Sequence, residues 1–321
     1  MDSAQLYKKC TQCPRNCGVD RFSSNLGFCQ EPADLRIAFA GLHFGEEPLV
    51  TVKGGSGTIF FTGCTLRCKF CQNYQISQDG LGRLVDCDEF VSICHKLQDA
   101  GAENINLVTG SHHIPVIAKY LQAARDSGIT IPFCWNSSAY EKVEMLELLK
   151  GLVTIWLPDF KTLDKKISQQ LFAAEDYPEV CATAIKWMID NNPLDIRDAG
   201  DGKEKMYQGV IIRHLFLPGK FAETADVLKW LKDNADGRAC ISLMNQYTPI
   251  PAKKGKITEF EDRLVNKQED EDIQDLIEVY DFDYLFYQEL SDDTSWLPDF
   301  NRPQPFSNKL AKPLWHCKNN L

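Results

Sequence analysis

Short apolar runs bounded by glycines alternate along this chain with segments of helical periodicity. Gly54, Gly55 and Gly57 precede a largely apolar run at 58–63, and four to eight such residues between glycines suit a strand buried on both faces of a parallel sheet. Residues 90–100 follow as an amphipathic helix with Phe90, Cys94 and Leu97 on one face. The pattern then predicts a strand at 105–108, a helix at 115–125 opening on Pro115, a strand at 129–135, a helix at 141–150 and a strand at 153–157. A helix at 178–191, a strand at 209–217, a helix at 224–232 and a strand at 239–244 complete six strand–helix units. Such a series points to a parallel barrel or partial barrel. The alternative, a doubly wound open sheet, lacks a G-x-G-x-x-G loop after its first strand.

Outside this series, residues 35–40 read as a strand and 195–205, with Gly200 and Gly202, as a hairpin or loop inserted before the fifth barrel strand. The acidic stretch 269–275 lacks calcium-loop spacing and reads as a solvated helix start. A further apolar strand at 284–287 precedes an irregular, proline-rich tail. The chain thus divides into a cysteine-rich segment at 1–33, a barrel at 34–290 and a tail at 291–321.

Composition narrows the chemistry. With 321 residues, 44% of them apolar, the chain can bury a sizeable core, and its net charge of −10 argues against nucleic acid as a partner. No apolar run approaches the roughly 18 residues a membrane span needs, and residues 1–9 lack the apolar core of a signal peptide, so a cytoplasmic location is expected. Thirteen cysteines in such a chain point to metal binding or catalysis. Cys94, Cys134, Cys181 and Cys240 stand singly in apolar surroundings and read as small buried hydrophobes.

Cys64, Cys68 and Cys71 are different. Their C-x3-C-x2-C spacing sets three thiolates on one tight loop directly after the first barrel strand, at the end where barrel active sites lie. A structural zinc would want four closed ligands. A four-iron cluster on three protein thiolates leaves one iron open to an external ligand.

Followed by residues 72–77, Gln-Asn-Tyr-Gln-Ile-Ser, this triplet closely resembles the radical S-adenosylmethionine superfamily, and more narrowly its branch related to pyruvate formate-lyase activating enzymes. The resemblance takes in residues 45–48, 54–63, 104–110, 212–219 and 244–249 and the head cysteines, nearly the whole chain. It implies a partial (βα)6 TIM-type barrel, a [4Fe–4S] cluster on Cys64, Cys68 and Cys71, and S-adenosylmethionine chelating the open iron. Reductive cleavage would then yield methionine and a 5′-deoxyadenosyl radical that abstracts hydrogen from a substrate, with an electron donor such as a flavodoxin or ferredoxin. The cofactor carries that chemistry while the protein positions and shields it.

Carried over position by position, Phe70, Cys71 and Gln72 match the stretch that contacts the adenine end of the cofactor. Where the superfamily usually has Gly-Gly-Glu, this chain has Thr109-Gly110-Ser111-His112-His113; Gly110 is a fair match, the carboxylate is missing, and the histidine pair reads as surface. Asp159, Phe160 and Lys161 match the block that holds the ribose and carboxylate of the cofactor. His214 falls where activating enzymes place a cofactor-contacting histidine. Strand alternation sends Arg213 and His214 to opposite faces, and His214 is expected inside.

Cys10, Cys13, Cys17 and Cys29 form a four-thiolate metal set, for which zinc and a second iron–sulfur cluster stay open; an extra cluster would relay an electron or anchor substrate. Three functions compete. One is a radical enzyme that installs a glycyl radical on a partner, another a radical enzyme that modifies a peptide or small molecule, and the third a non-catalytic iron–sulfur carrier or scaffold.

Overall fold

The structure, a computed structural model, describes residues 3–200, 202–253 and 255–318. Met1, Asp2, Asp201, Lys254 and residues 319–321 lie outside the described residues, and with them the outer ends of the predicted head and tail and one position of the predicted hairpin. A short helix, α1 (Ser3–Lys8), opens the head. Strand β1 (Arg36–His43) pairs antiparallel with β2 (Ser56–Phe61), every residue of which is buried. The cysteine loop follows, then the one-turn helix α2 (Tyr74–Ser77) and a two-residue strand, β3 (Arg83–Leu84), laid on β1.

Strands and helices then alternate as α3 (Cys87–Asp99), β4 (Ile105–Val108), α4 (Ile114–Asp126), β5 (Phe133–Ser137), α5 (Val143–Leu146) and β6 (Val153–Pro158). Two helices, α6 (Lys165–Phe172) and α7 (Tyr177–Asn191), lead to an antiparallel hairpin of β7 (Asp195–Asp198) with the start of β8 (Glu204–Leu215). Helix α8 (Phe221–Ala235), β9 (Cys240–Met244), α9 (Lys267–Tyr280), β10 (Leu285–Gln288) and β11 (Ala311–His316) complete the chain.

Among the described residues the strands join one sheet in the order β10-β9-β8-β6-β5-β4-β2-β1-β11. It is parallel from β2 to β10 and ends in two free edges, so the barrel is partial, as expected. The apolar run at 284–287 extends it, adding β10 beside β9 as a parallel strand beyond the six predicted. No helix among the described residues is long and apolar enough to cross a membrane.

Three differences from the sequence pattern have local causes. The strand expected from residue 129 starts at Phe133, because side chains take the backbone groups a ladder would have used. Arg125 donates to the carbonyls of Ile129 (2.9 Å) and Ile131 (2.8 Å), and Gln98 accepts from the Thr130 N–H (2.8 Å). Helix α6, absent from the pattern reading, is started by Asp164, whose carboxylate accepts from the Ile167 N–H at 2.8 Å. The tail is not irregular throughout. Its β11 pairs antiparallel with β1, and Pro313 is tolerated there because β11 is an edge strand. The acidic stretch does open a helix, α9, with a capping box between Asn266 and Glu269.

Candidate cluster and cofactor site

The parallel strands present their C-terminal ends to one mouth, and the cysteine loop leaves β2 there. Cys64 and Cys68 are buried and Cys71 half-buried. The loop turns through a left-handed Arg67 (φ 52°) and a hydrogen bond from the Cys71 N–H to the Cys68 carbonyl (3.1 Å). Donors already point at sulfur: the Leu66 N–H lies 3.3 Å from Cys64 Sγ, and Ser77 Oγ lies 3.2 Å from Cys71 Sγ. Burial pushes the Cys68 and Cys71 thiols up, their neighbouring sulfurs add to the shift, and Lys161 opposes it. Such thiols ionise readily only where metal charge compensates them, so the donor set fits a metal–thiolate site. Among the described residues no group of three or more His, Cys, Asp or Glu side chains is gathered tightly enough for a single ion.

Beneath the loop runs a chain of ionic contacts inside the barrel. Lys161 Nζ donates to Asp159 at 2.8 Å, and Asp159 is held from its other side by Arg213 at 2.8 Å. Arg213 reaches Glu46 at 3.2 Å and donates to Asn136 Oδ1 at 2.6 Å, while Asn106 donates to Glu46 at 2.6 Å. Mutual attraction outweighs burial here, holding the Asp159 carboxyl below its ordinary range and Lys161 and Arg213 above theirs. Lys161 spends one of its three N–H donors on Asp159.

His214, expected inside, faces the helix layer. Its Nδ1 meets the Phe160 carbonyl (2.7 Å) and its Nε2 meets Thr224 Oγ1 of α8 (2.9 Å). The inward member of the pair is Arg213. Phe160 likewise points outward, edge-on to Trp230 with ring centroids 4.8 Å apart, so its side chain is core. Phe70 is buried among Phe172, Tyr247 and Phe260, edge-on to each. Gln72 is half-buried beside Cys71. Gly110 lies against Trp135 and Ile117, either of which a Cβ would meet at 2.7 Å.

His112 and His113 are not at the surface: both are fully buried. The head folds over them. Arg21 lies 3.1 Å from His113 Nε2, and His112 Nε2 lies 2.6 Å from the Thr62 carbonyl. Gln12 donates to the Ser111 carbonyl (3.2 Å) and Lys142 to the Thr11 carbonyl (2.7 Å), so the head is fastened to the loops after β4 and β5. Sequence reasoning also passed over Glu141. This buried carboxylate accepts from Ser111 Oγ (2.6 Å), Trp135 Nε1 (2.8 Å) and Ser137 Oγ (3.1 Å), pinning the turn that contains Gly110. Glu46 lay within a block already singled out, residues 45–48, and Arg213 beside His214; alternation in β8 was the available signal for the latter.

The family model of the Radical SAM superfamily matches residues 58–193, the stretch that holds the cysteine loop, Gly110 and the Asp159–Lys161 pair. The chain belongs to the radical SAM superfamily. Membership implies two cofactors, a [4Fe–4S] cluster and S-adenosylmethionine. The uncharacterized protein MJ0674 of Methanocaldococcus jannaschii is 30% identical over 291 residues, 88% of this chain and 78% of that protein. Among solved structures, Streptococcus suis SuiB is similar with a TM-score of 0.50 and 14% identity, covering 71% of this chain and 47% of SuiB. SuiB bound to the precursor peptide SuiA is similar with a TM-score of 0.51 and 14% identity, covering 70% and 46%. This radical SAM chain therefore spans just under half the length of those two structures, and the likeness is one of fold.

Proposed function

We propose that this chain is a radical S-adenosylmethionine enzyme in which Cys64, Cys68 and Cys71 ligate the cluster and Lys161, Asp159 and Arg213 receive S-adenosylmethionine beside it. The observation that carries the reading is the position of Lys161, an ammonium held by Asp159 next to the Cys68 thiol at the barrel mouth. When bound, the two cofactors supply reductive cleavage of the sulfonium to methionine and a 5′-deoxyadenosyl radical that takes hydrogen from the substrate. Lys161 meets the cofactor carboxylate, and Asp159, fixed by Arg213, accepts from ribose hydroxyls. Glu141 holds the Gly110–Ser111 turn in place for the ammonium end. The surrounding apolar residues, Phe70, Phe172, Tyr247 and Phe260, keep water from the mouth.

For the substrate, the peptide-bound SuiB structure supports testing peptides first. A glycyl-radical partner is the second class, and small molecules the third. The test is anaerobic reconstitution with iron and sulfide, reduction, and assay of 5′-deoxyadenosine. Cofactor-dependent release, raised by one substrate class, supports the reading. A reconstituted four-iron cluster whose paramagnetic signal ignores S-adenosylmethionine, with no release under any reductant, defeats it.

A further inference from the structure

Beside the groups given to the cofactor, the barrel interior holds a second polar set. Glu46 and Glu47 come from the connection at 44–55 between β1 and β2. That connection is fastened without their side chains. Asn104 donates to the Val50 carbonyl (2.9 Å), the Met206 N–H to the Leu49 carbonyl (3.0 Å), and Glu103 accepts from the Val52 and Gly54 N–H groups (2.9 and 2.7 Å). The Glu46 carboxylate is nevertheless held by three strands. It accepts from Asn106 of β4 (2.6 Å), Asn136 of β5 (3.4 Å) and Arg213 of β8 (3.2 Å). Glu47 takes a hydrogen bond from Ser242 of β9. Glu46 and Arg213 keep 10% and 13% of their side-chain surface exposed, so the wall they form is open to a ligand.

The donors of this wall are directed at its own acceptors. Arg213 gives Nε to Asp159 (3.0 Å), Nη1 to Glu46 and Nη2 to Asn136, and the amide nitrogens of Asn106 and Asn136 both go to Glu46. Acceptors are left over. The Asn106 side chain is 0% exposed, and its nitrogen is fixed on a carboxylate that can only accept. Its Oδ1, on the same amide, has no hydrogen-bond partner among the described residues. A buried carbonyl oxygen without a donor is rare in folded proteins, so this atom marks where an N–H from a ligand would be taken. A carboxylate offers about four lone-pair sites, and Glu46 fills three of them. Charge points the same way. Asp159, Glu46 and Glu47 are three carboxylates around one guanidinium, with Lys161 on the other oxygen of Asp159. Burial, and then the like charge of Glu46, push the Glu47 carboxyl up to about 7 against the pull of Arg213.

We infer that Glu46, Glu47 and Asn106 are the substrate subsite of the barrel, and that the group they take is a cationic nitrogen head, an ammonium or a guanidinium. Its N–H groups meet Asn106 Oδ1 and the unfilled lone pairs of the two carboxylates, and its charge balances the carboxylate that Arg213 leaves uncompensated. Arg213 also joins this subsite to the cofactor side. One guanidinium bonds both Asp159 and Glu46, so a substrate anchored at Glu46 lies a single side chain away from the residue assigned to the ribose. The cationic head is an anchor, and no proton or electron moves at it. The inference names the substrate chemistry of the proposed function and rests on that reading. A lysine or arginine of a peptide and a free amine carry the same head, and the test separates them.

Full-length protein is reconstituted anaerobically with iron and sulfide and saturated with S-adenosylmethionine. It is then titrated in a calorimeter with methylguanidinium and n-butylammonium, and with their neutral counterparts methylurea and n-butanol. At least one cation should bind saturably, roughly tenfold or more tightly than its neutral counterpart, because a charge-assisted hydrogen bond is lost in the exchange. Glu47→Gln should remove that preference. The preference itself is read on native protein, which needs no variant to fold. A glycine-flanked arginine peptide and its citrulline twin give the source of the head. Arginine-peptide binding that is tighter than that of methylguanidinium, and lost in the citrulline twin, assigns it to a peptide; tighter binding of the free cation assigns it to a small amine. Equal binding of charged and neutral probes, no saturable binding of either cation, or a Glu47→Gln protein with the native preference would each overturn the subsite. Failure of the proposed function looks different, as a cluster whose paramagnetic signal S-adenosylmethionine leaves unmoved, whether or not the probes bind.

Discussion

Arg213 and His214 are consecutive residues of β8 that serve opposite layers of the barrel. Arg213 bonds Asp159, Glu46 and Asn136 in the interior, and His214 ties the Phe160 carbonyl to Thr224 of α8. One side chain orders the candidate cofactor site and the other clamps a helix to the strand behind it, so their substitutions should separate.

Arg213→Met should weaken S-adenosylmethionine binding, because Asp159 and Glu46 lose their shared partner and the first is freed to collapse onto Lys161. Loss of a charged hydrogen bond of about 1.5–3 kcal/mol corresponds to roughly ten- to a hundredfold in affinity. His214→Phe should leave affinity within about twofold while costing stability on the order of 1–3 kcal/mol, since two buried polar partners go unpaired. Titration calorimetry and thermal unfolding, run on both variants, check the split. Equal loss of affinity in the two would return His214 to the cofactor site.

Lys161→Ala should raise the cofactor dissociation constant by roughly ten- to a hundredfold and leave the iron content of the Cys64 loop unchanged. Binding is followed by the shift S-adenosylmethionine causes in the reduced cluster's paramagnetic signal. Loss of iron in this variant would make Lys161 a support of the loop and not a ligand for the cofactor.

The parallel barrel was legible because each buried strand is a short apolar run bounded by turn residues, and the cysteine loop because its spacing is covalent and local. What was not legible depends on contacts distant in sequence. Nothing near His112 and His113 announces that Arg21 and Tyr7 will cover them, so a polar pair read as surface lies in the interior. Burial of His214 without a ligand looked costly from one strand alone, but its partners come from β6's end and from α8. Edge strand β11 was hidden by its proline, a residue excluded only from central strands.

The buried histidines give stability a pH dependence. Desolvation, then the Arg21 charge, lower His112 to about 3, and the same two causes depress His113. An unfolded histidine titrates near 6.5, so below that pH the unfolded chain binds protons the native chain refuses. Their contribution is complete above about pH 6.5 and is lost on acidification at about 1.4 kcal/mol per pH unit for each histidine. Glu31 and Glu47, both raised to about 7 by burial, act in the opposite sense between about 4.5 and 7, because there the native chain holds the extra protons. The expectation is therefore placed on a difference. His112→Gln should lose less stability than the native chain between pH 7.5 and about 5.5, read from urea midpoints under anaerobic conditions. Parallel curves would show that His112 is protonated in the folded state.

Gly63 is the point at which the head, the first barrel strand and the cysteine loop meet. Its φ is +81°, a conformation that costs an L-residue roughly 1–2 kcal/mol. Space is the larger obstacle. A Cβ at Gly63 would stand 2.3 Å from Glu31 Cγ and 2.9 Å from the Cys29 carbonyl. Glu31 cannot swing aside freely, because its carboxylate is paired with Arg36 at 3.1 Å and its side chain is 1% exposed. Gly63→Ala should therefore pry the head from the cysteine loop and lower stability by more than the backbone cost alone, about 2–4 kcal/mol in all. Because the cysteine loop starts directly after Gly63, iron retention at Cys64, Cys68 and Cys71 during anaerobic gel filtration should fall. Thermal unfolding and iron analysis of the variant decide it. A chain that keeps its native melting temperature and full iron would mean that the head rests on the barrel loosely enough to yield by an ångström.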